Sequence, residues 1–292
     1  MRIAPRFAVG LAANSAAAAC IAVAIAAVFA VETLATEPPS HLNRSLKSAT
    51  QFLSPELAAE QADDARNRGL LWVEQGATLW HAPADPGGTP DGASCRTCHQ
   101  EAEATMRGVA ARMPVFDVSR GRVLNLEGRI NVCRTEKQRN DAWAYESPQL
   151  LAMTAYLSFQ SRGMPKSATR DWPDTASGSG APSGPAQNIL DRGRTLWNER
   201  QGQFNLSCAQ CHDDNVGRKL RGDTISSAVP TGYPAYRLEW DGLGSLHRRL
   251  RACQLGVRAV QFEHGSEEYL ALEVYLAWRA TGQLIEAPAI RR

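Results

Sequence analysis

Cys208-Ala209-Gln210-Cys211-His212 is the stretch on which the reading of this chain turns. Two cysteines two residues apart, followed at once by histidine, form a c-type haem attachment site. The thiols add across the porphyrin vinyl groups, and the adjoining imidazole then reaches the iron from one side. The other axial position must be filled by the chain or left for a substrate. The same pattern occurs earlier, as Cys95-Arg96-Thr97-Cys98-His99, and each motif is followed by one further cysteine, Cys133 and Cys253. Zinc binding or a redox dithiol is the competing use of paired cysteines. The doubled context, together with the leader described below, favours haem. The expected cofactors are two covalently bound haem c groups, attached through Cys95, Cys98, Cys208 and Cys211. His99 and His212 are the proximal ligands.

Working outward, the surroundings of the two motifs repeat. Gly76 and Leu79-Trp80 stand ahead of the first motif as Gly193 and Leu196-Trp197 stand ahead of the second. Met113-Pro114-Val115-Phe116 is mirrored by Tyr233-Pro234-Ala235-Tyr236, and the interval from Pro114 to Cys133 equals that from Pro234 to Cys253. Arg129 precedes Cys133 as Arg249 precedes Cys253. Matched order and spacing make duplication of one unit the economical account. The expected fold is all-α: two duplicated cytochrome c-type domains joined by a Pro/Gly/Ser-rich linker. The first covers residues 36–172 with its N-terminal arm, the linker 173–187, and the second 188–292. A unit of ~100 residues with many loops has a thin core, which bound haem would fill. Trp80, Tyr156, Trp197 and Tyr275 are then core or haem-packing aromatics.

Local signals place the helices. Ser54-Pro55 opens one, with serine as N-cap and proline in the first turn, running to about Arg68. Apolar residues at helical spacing predict others over Gly69 to Trp80, Ser147 to Ser161 and Ser266 to Thr281. His81 to Gly92 and Met113 to Phe116 are expected as loops, and Gly108 to Arg112 and Gly217 to Thr231 carry no assignable pattern.

The chain has 292 residues and a formal net charge of +2, so nothing in it resembles a nucleic-acid-sized basic field. Residues 1–35 look like an export signal. Arg2 and Arg6 precede an Ala/Val/Ile-rich core, and small residues offer cleavage after Ala30 or Ala35. A retained membrane anchor is the alternative, because the apolar run is long. Cys20 sits before that run ends and is a poor candidate for a lipid-bearing residue. Haem attachment to this motif follows export, so the expected location is the periplasm, with no membrane segment after signal removal. A Cys133–Cys253 disulfide suits that compartment, but it would require equivalent positions of the two repeats to meet.

The second axial ligand carries the chemistry. Small electron carriers commonly use methionine, which raises the potential. Met106, Met113, Met153 and Met164 lie in the first half, whereas the second repeat contains none. Its other candidates are His247, His264 and Cys253. A thiolate stabilises ferric iron and lowers the potential, which suits a site where sulfur itself takes part. His247 is expected at the surface or beside the site, with a substitute-ligand role as the alternative.

The segment Arg249-Leu250-Arg251-Ala252-Cys253-Gln254, the two haem motifs, the run Glu146-Ser147-Pro148-Gln149-Leu150-Leu151-Ala152-Met153-Thr154-Ala155-Tyr156-Leu157 and the following Gln160-Ser161-Arg162-Gly163-Met164-Pro165 resemble the SoxA family, the dihaem cytochrome c subunits of SoxAX complexes. The resemblance runs from about residue 50 to 285. It implies that Cys133 and Cys253 are the second axial ligands and that the Cys253 haem is the active one. Cys253 can then carry an extra sulfur as a persulfide, and Arg249 matches the family's active-site arginine. The implied reaction joins thiosulfate oxidatively to a cysteine of the SoxYZ carrier. Its two electrons leave through haem, with the small cytochrome SoxX as partner. Thiosulfate is a dianion, which a guanidinium binds through paired N–H groups. Arg248, Arg251 and Arg258 would add positive potential. Arg249 could instead hold a haem propionate or be a solvated helix charge, since Arg129 occupies the same place in the first repeat. Two other functions compete: a thiosulfate dehydrogenase forming tetrathionate, and a dihaem electron-transfer cytochrome.

Overall fold

The computed structural model describes residues 46–83, 92–168 and 184–292. The leader with its cleavage sites, and linker residues 173–183, lie outside the described residues. No helix among the described residues is long and apolar enough to cross a membrane.

Each repeat is built on one crossing pair of helices. In the first, α2 (Leu70–His81) packs on α5 (Pro148–Phe159); in the second, α6 (Gly184–Asn198) packs on α9 (Glu267–Arg279). The crossing depends on a glycine in each pair. A Cβ on Gly76 would lie 2.2 Å from the Ala152 carbonyl oxygen, and one on Gly193 would lie 2.1 Å from that of Ala271. Only glycine lets the backbones approach so closely. Serines start the partner helices: Ser147 Oγ accepts from Leu150 N and Ser266 Oγ from Tyr269 N, each at 3.3 Å. Ser54 does the same for α1 (Pro55–Ala62), which ends well before the expected Arg68.

Between these helices lie α3 (Cys95–His99) and α4 (Leu126–Glu136) in the first repeat, and α7 (Cys208–His212) and α8 (Leu246–Gly256) in the second. The segments expected as loops at Pro114 and Pro234 instead enter short hairpins. β1 (Val115–Asp117) pairs antiparallel with β2 (Arg122–Leu124), and β5 (Ala235–Arg237) with β6 (Gly242–Gly244). A cis peptide precedes each hairpin, at Met113–Pro114 and Tyr233–Pro234. Each hairpin passes directly into a capped helix, where Asn125 Oδ1 accepts from Gly128 N at 2.9 Å and Ser245 Oγ from Arg248 N at 3.2 Å. Lys219–Leu220 and Asp223–Thr224 form a further small hairpin, β3–β4, inside the stretch that carried no sequence pattern. Helices nevertheless make the body of the fold.

The repeats are not independent beads, because the described residues form one compact unit. Tyr236 and Leu243 of the second repeat are buried in the core of the first with Val73, Leu126 and Leu150. Val123 of the first packs with Ala186, Leu190 and Val274 of the second. The chain's end also crosses over. β7 (Ala289–Arg291) runs parallel to β5, while Asn67 Nδ2 donates to the Pro288 carbonyl at 3.1 Å. The N-terminal arm belongs to both halves, since Ser48 Oγ donates to Glu286 Oε1 at 2.6 Å. The expected boundary shifts accordingly. Residues 184–187 are the first turn of α6, where Pro185 is tolerated because the first helical N–H groups have no intrahelical acceptor.

Candidate haem centres and the Cys253 pocket

Each Cys-x-x-Cys-His motif is a short helical segment opened by a reciprocal cap. Ser94 Oγ accepts from Thr97 N at 3.2 Å while Thr97 Oγ1 accepts from Ser94 N at 3.1 Å. Ser207 Oγ and Gln210 Oε1 repeat the exchange at 3.2 and 2.9 Å. Helical spacing then sets both thiols of a motif on one face. Behind each histidine stands a tryptophan. Trp80 and His99 have ring centroids 5.8 Å apart at 36°, and Trp197 and His212 have theirs 5.9 Å apart at 34°. Tyr156 and Tyr275 in turn pack on these tryptophans, at 6.0 and 5.9 Å. The indole N–H groups are anchored at the Gln100 carbonyl (2.9 Å) and at Asp213 Oδ2 (2.7 Å). The four aromatics are thus the wall that holds the histidines, and not reactive groups.

His212 Nδ1 lies 2.7 Å from the Ser226 carbonyl oxygen. A carbonyl can only accept, so Nδ1 carries the proton and Nε2 is left with a free lone pair, the tautomer that suits a metal-binding imidazole. Cys253 lies close enough to this ring for the two to interact electrostatically. Burial pushes the Cys253 thiol up, but the Arg249 guanidinium, His212 and Arg237 outweigh it and bring it down to about 7. Burial, with Cys253 as neighbour, pushes the Cys208 thiol up to about 12; burial, with Cys133 as neighbour, pushes Cys95 to about 11. Each spare cysteine therefore sits beside its own attachment motif, and all six described cysteines are free of disulfides. Zinc would need about four converging donors, and among the described residues no three His, Cys, Asp or Glu side chains assemble as such a site. The donor set of paired thiols, a tautomer-fixed histidine and a facing cysteine fits haem.

The two equivalent arginines diverge. Arg249 is drawn further above its ordinary value, first by the Cys253 thiolate, and its Nη1 is 3.7 Å from Glu239 Oε1. Arg129 is 47% exposed and lies 3.8 Å from Asp117. Other expected contributors of positive potential are engaged elsewhere. Arg248 lies over Trp240 at 4.4 Å, Arg251 donates to the Phe262 carbonyl, and Arg258 donates to Gln203 at 3.2 Å. Met153 is buried in the first core, with Met106 and Met113 packed against it.

His247 is not a surface residue. It is 1% exposed, its Nε2 is 3.1 Å from Glu273 Oε2, and its Nδ1 accepts from Gly265 N at 3.0 Å. With both nitrogens occupied, and Tyr145 stacked on it at 5.5 Å, it has no lone pair for iron. It belongs to a buried polar cluster between the repeats, with Glu127, Glu273 and Lys166. Burial lowers Lys166 to about 8 while its Nζ donates to the Ala110 and Met113 carbonyls. Sequence reasoning missed this cluster and also missed Arg237, 4% exposed in β5. The one signal for Arg237 was a charged residue inside an otherwise apolar strand.

A model of the SoxA/TsdA cytochrome c domain matches residues 75–166 and again 192–285. The L-cysteine S-thiosulfotransferase subunit SoxA of Pseudaminobacter salicylatoxidans is 34% identical over 260 residues, covering 89% of this chain and 86% of that protein. That of Rhodovulum sulfidophilum is 35% identical over 256 residues, covering 87% and 84%. The crystal structure of SoxXA from P. pantotrophus superposes with a TM-score of 0.75 at 32% identity, covering 85% of this chain and 87% of that one. Fold, motifs and relatives agree on covalent haem c, and the chain belongs to the SoxA/TsdA cytochrome c domain family, among the SoxA proteins.

Proposed function

We propose that this chain is the haem-bearing catalytic subunit of a periplasmic L-cysteine S-thiosulfotransferase. It acts on thiosulfate and a cysteine of a SoxYZ-type carrier, in a heterodimer with a SoxX-type cytochrome. The observation that carries this reading is the placement of Cys253 between His212 and Arg249, with Arg249 one helical turn before it on α8. Two covalent haem c groups would be held by Cys95, Cys98, His99 and Cys133, and by Cys208, Cys211, His212 and Cys253. When bound, haem supplies the one-electron chemistry through which the electrons of the oxidation depart toward SoxX.

The reaction balances as thiosulfate plus a carrier thiol giving the carrier S-thiosulfonate, one proton and two electrons. A sulfur–sulfur bond forms, the S–H bond breaks, and the two sulfurs that join are oxidised. Arg249 holds the dianion through its guanidinium. Ser226 fixes the His212 tautomer through its carbonyl, and Trp197 blocks rotation of the ring. Cys253, which Arg249 and His212 bias toward the thiolate, is the sulfur beside which the incoming sulfane sulfur is placed.

The test is a thiosulfate assay with a thiol-bearing carrier and a cytochrome acceptor, comparing native protein with Cys253→Met. Turnover that needs the carrier and is lost in the variant is expected. Equal thiosulfate oxidation without a carrier would replace this reading by a tetrathionate-forming dehydrogenase. Absence of thiosulfate-dependent haem reduction would leave an electron-transfer cytochrome.

A further inference from the structure

Arg237 is a buried guanidinium that the second repeat has and the first lacks. In the β5–β6 hairpin it stands opposite Gly242; the equivalent place in β1–β2 is Asp117, opposite Arg122. Arg237 is 4% exposed. Its Nε donates to Glu239 Oε1 at 2.9 Å. Its Nη2 is 3.6 Å from Asp223 Oδ2, beyond hydrogen-bond reach, and is buried with no hydrogen-bond partner among the described residues. Leaving a buried donor unsatisfied costs about 1–3 kcal/mol, more for a charged group. Such an atom can take an acceptor supplied from solvent or by a ligand.

The neighbours say where it arrives. Glu239, bonded to Arg237, is also 3.7 Å from Arg249 Nη1. Asp223 bears on both arginines as well. Two guanidiniums therefore bracket one carboxylate, and Arg249 is one helical turn before Cys253 on α8. The bracketing acids are the loose members: the Glu239 and Asp223 side chains are 47% and 40% exposed, against 5% for Arg237. An oxyanion entering from solvent can take their place without moving the arginines.

We propose that Arg237 and Arg249 form a paired-guanidinium seat for an oxyanion beside Cys253, closed by Glu239 until the anion displaces it. The seat takes the sulfonate end of thiosulfate, and in this it rests on the function proposed above. A haem propionate offers the same oxygen chemistry. Both repeats carry a haem motif, however, and a group common to both does not account for an arginine in one and Asp117 in the other. With the sulfonate between the two guanidiniums, the sulfane sulfur is the end left to point at Cys253. Arg237 is then a substrate-binding residue, and Glu239 a gate that competes with substrate.

The experiment uses the haem-loaded heterodimer and the variants Arg237→Gln and Glu239→Gln. Sulfate and thiosulfate are each titrated by calorimetry. Haem content and midpoint potentials are recorded alongside, and thiosulfate turnover is measured with carrier. Arg237→Gln should weaken sulfate and thiosulfate binding at least tenfold and raise KM more than it lowers kcat, with haem content and potentials kept. Glu239→Gln should tighten both anions severalfold, which keeps the idea testable if the arginine variant folds poorly. Shifted potentials or lost haem with unchanged anion binding would assign Arg237 to a propionate and overturn the seat. Unchanged anion binding in both variants would also overturn it. If native protein binds sulfate through Arg237 yet shows no thiosulfate turnover, the proposed function fails and the seat stands.

Discussion

Replacing Gly193 by alanine tests the feature on which each repeat depends. The new Cβ would sit 2.1 Å from the Ala271 carbonyl oxygen, 2.8 Å from its carbon and 2.8 Å from Tyr275 Cβ. Ordinary contacts of this kind begin near 3.4 Å. Helices α6 and α9 must therefore separate by about an ångström or bend. Neither backbone carbonyl nor helix axis can swing aside as a flexible side chain would. Overpacking of this sort costs about 1–3 kcal/mol, occasionally more, and contact with backbone puts this site at the upper end. Alanine returns about 1 kcal/mol through helix propensity and reduced unfolded-state entropy. The net loss is about 2 kcal/mol. For a chain of this size, that is a fall in Tm of about 4–8 °C. Gly76→Ala meets the Ala152 carbonyl oxygen at 2.2 Å and should cost about the same. The measurement is thermal unfolding of the haem-loaded protein by far-ultraviolet circular dichroism. Melting of Gly193→Ala at or above the native temperature would refute the reasoning, because it would mean the helices tolerate separation. Displacing Tyr275 also loosens Trp197 behind His212, so the haem absorption should change in Gly193→Ala before the fold is lost.

Three further outcomes follow from the charged groups. Burial, and then Glu273, push Glu127 up to about 7, with Glu146 adding to the effect and His247 opposing it. A carboxyl raised in the folded state favours the protonated form, so its contribution is fully present below the ordinary carboxylate value and is lost as pH rises through about 7. Glu127→Gln should thus be more stable than native protein at pH 8, by up to about 3 kcal/mol, with the advantage gone near pH 4. A difference in denaturant midpoint that stays constant across this range would contradict it. Arg249→Ala should lower thiosulfate turnover about 10²-fold or more, the usual loss on removing a donor that faces developing or bound negative charge. Arg129→Ala should leave turnover within a factor of two; equal losses would show that the arginine belongs to the scaffold of both repeats.

Much of the fold was legible because it is written in local signals. Ser54, Ser147 and Ser266 each announce a helix by capping it, and each of those helices begins at the following residue. The haem motifs and the matched spacing of Trp80 with Trp197 gave the duplication. The hairpins were not legible, because strands of three residues are too short to show an alternating pattern. Nor was the fusion of the repeats. Tyr236 buried against Val73 and Leu126 leaves no trace in the neighbours of any one of them. His247 and Glu127 look like surface residues in the sequence, and their burial becomes tolerable only through partners elsewhere in the chain, as with Glu273 Oε2 at 3.1 Å from His247. Buried polar groups with distant partners are what a single sequence conceals, and at Arg237 that concealment covered part of the candidate site.

On the function proposed above, the divergence of the two repeats accounts for the second cysteine, rather than the first, facing a substrate. In the first, Arg129 has Asp117 at 3.8 Å, and Asp117 is also 2.8 Å from Arg120, so the acid on the strand is shared between two arginines. In the second, the strand position is Arg237, which reverses the local charge by two units and adds to Arg249 instead of neutralising it. What remains to oppose the pair is Glu239 and Asp223, both well exposed. Their exposed carboxylates are the members solvent can compete for, and in the proposed seat they would give way to a dianion that two guanidiniums grip at once. The Cys133 pocket has no counterpart of Arg237, since Asp117 holds that strand position. Its histidine wall, glycine crossing and capped motif are nonetheless the same as those around Cys253. One scaffold thus supports two haem-type pockets, and under the proposed seat a change of sign on a short strand makes the second the one that gathers an anion beside its cysteine.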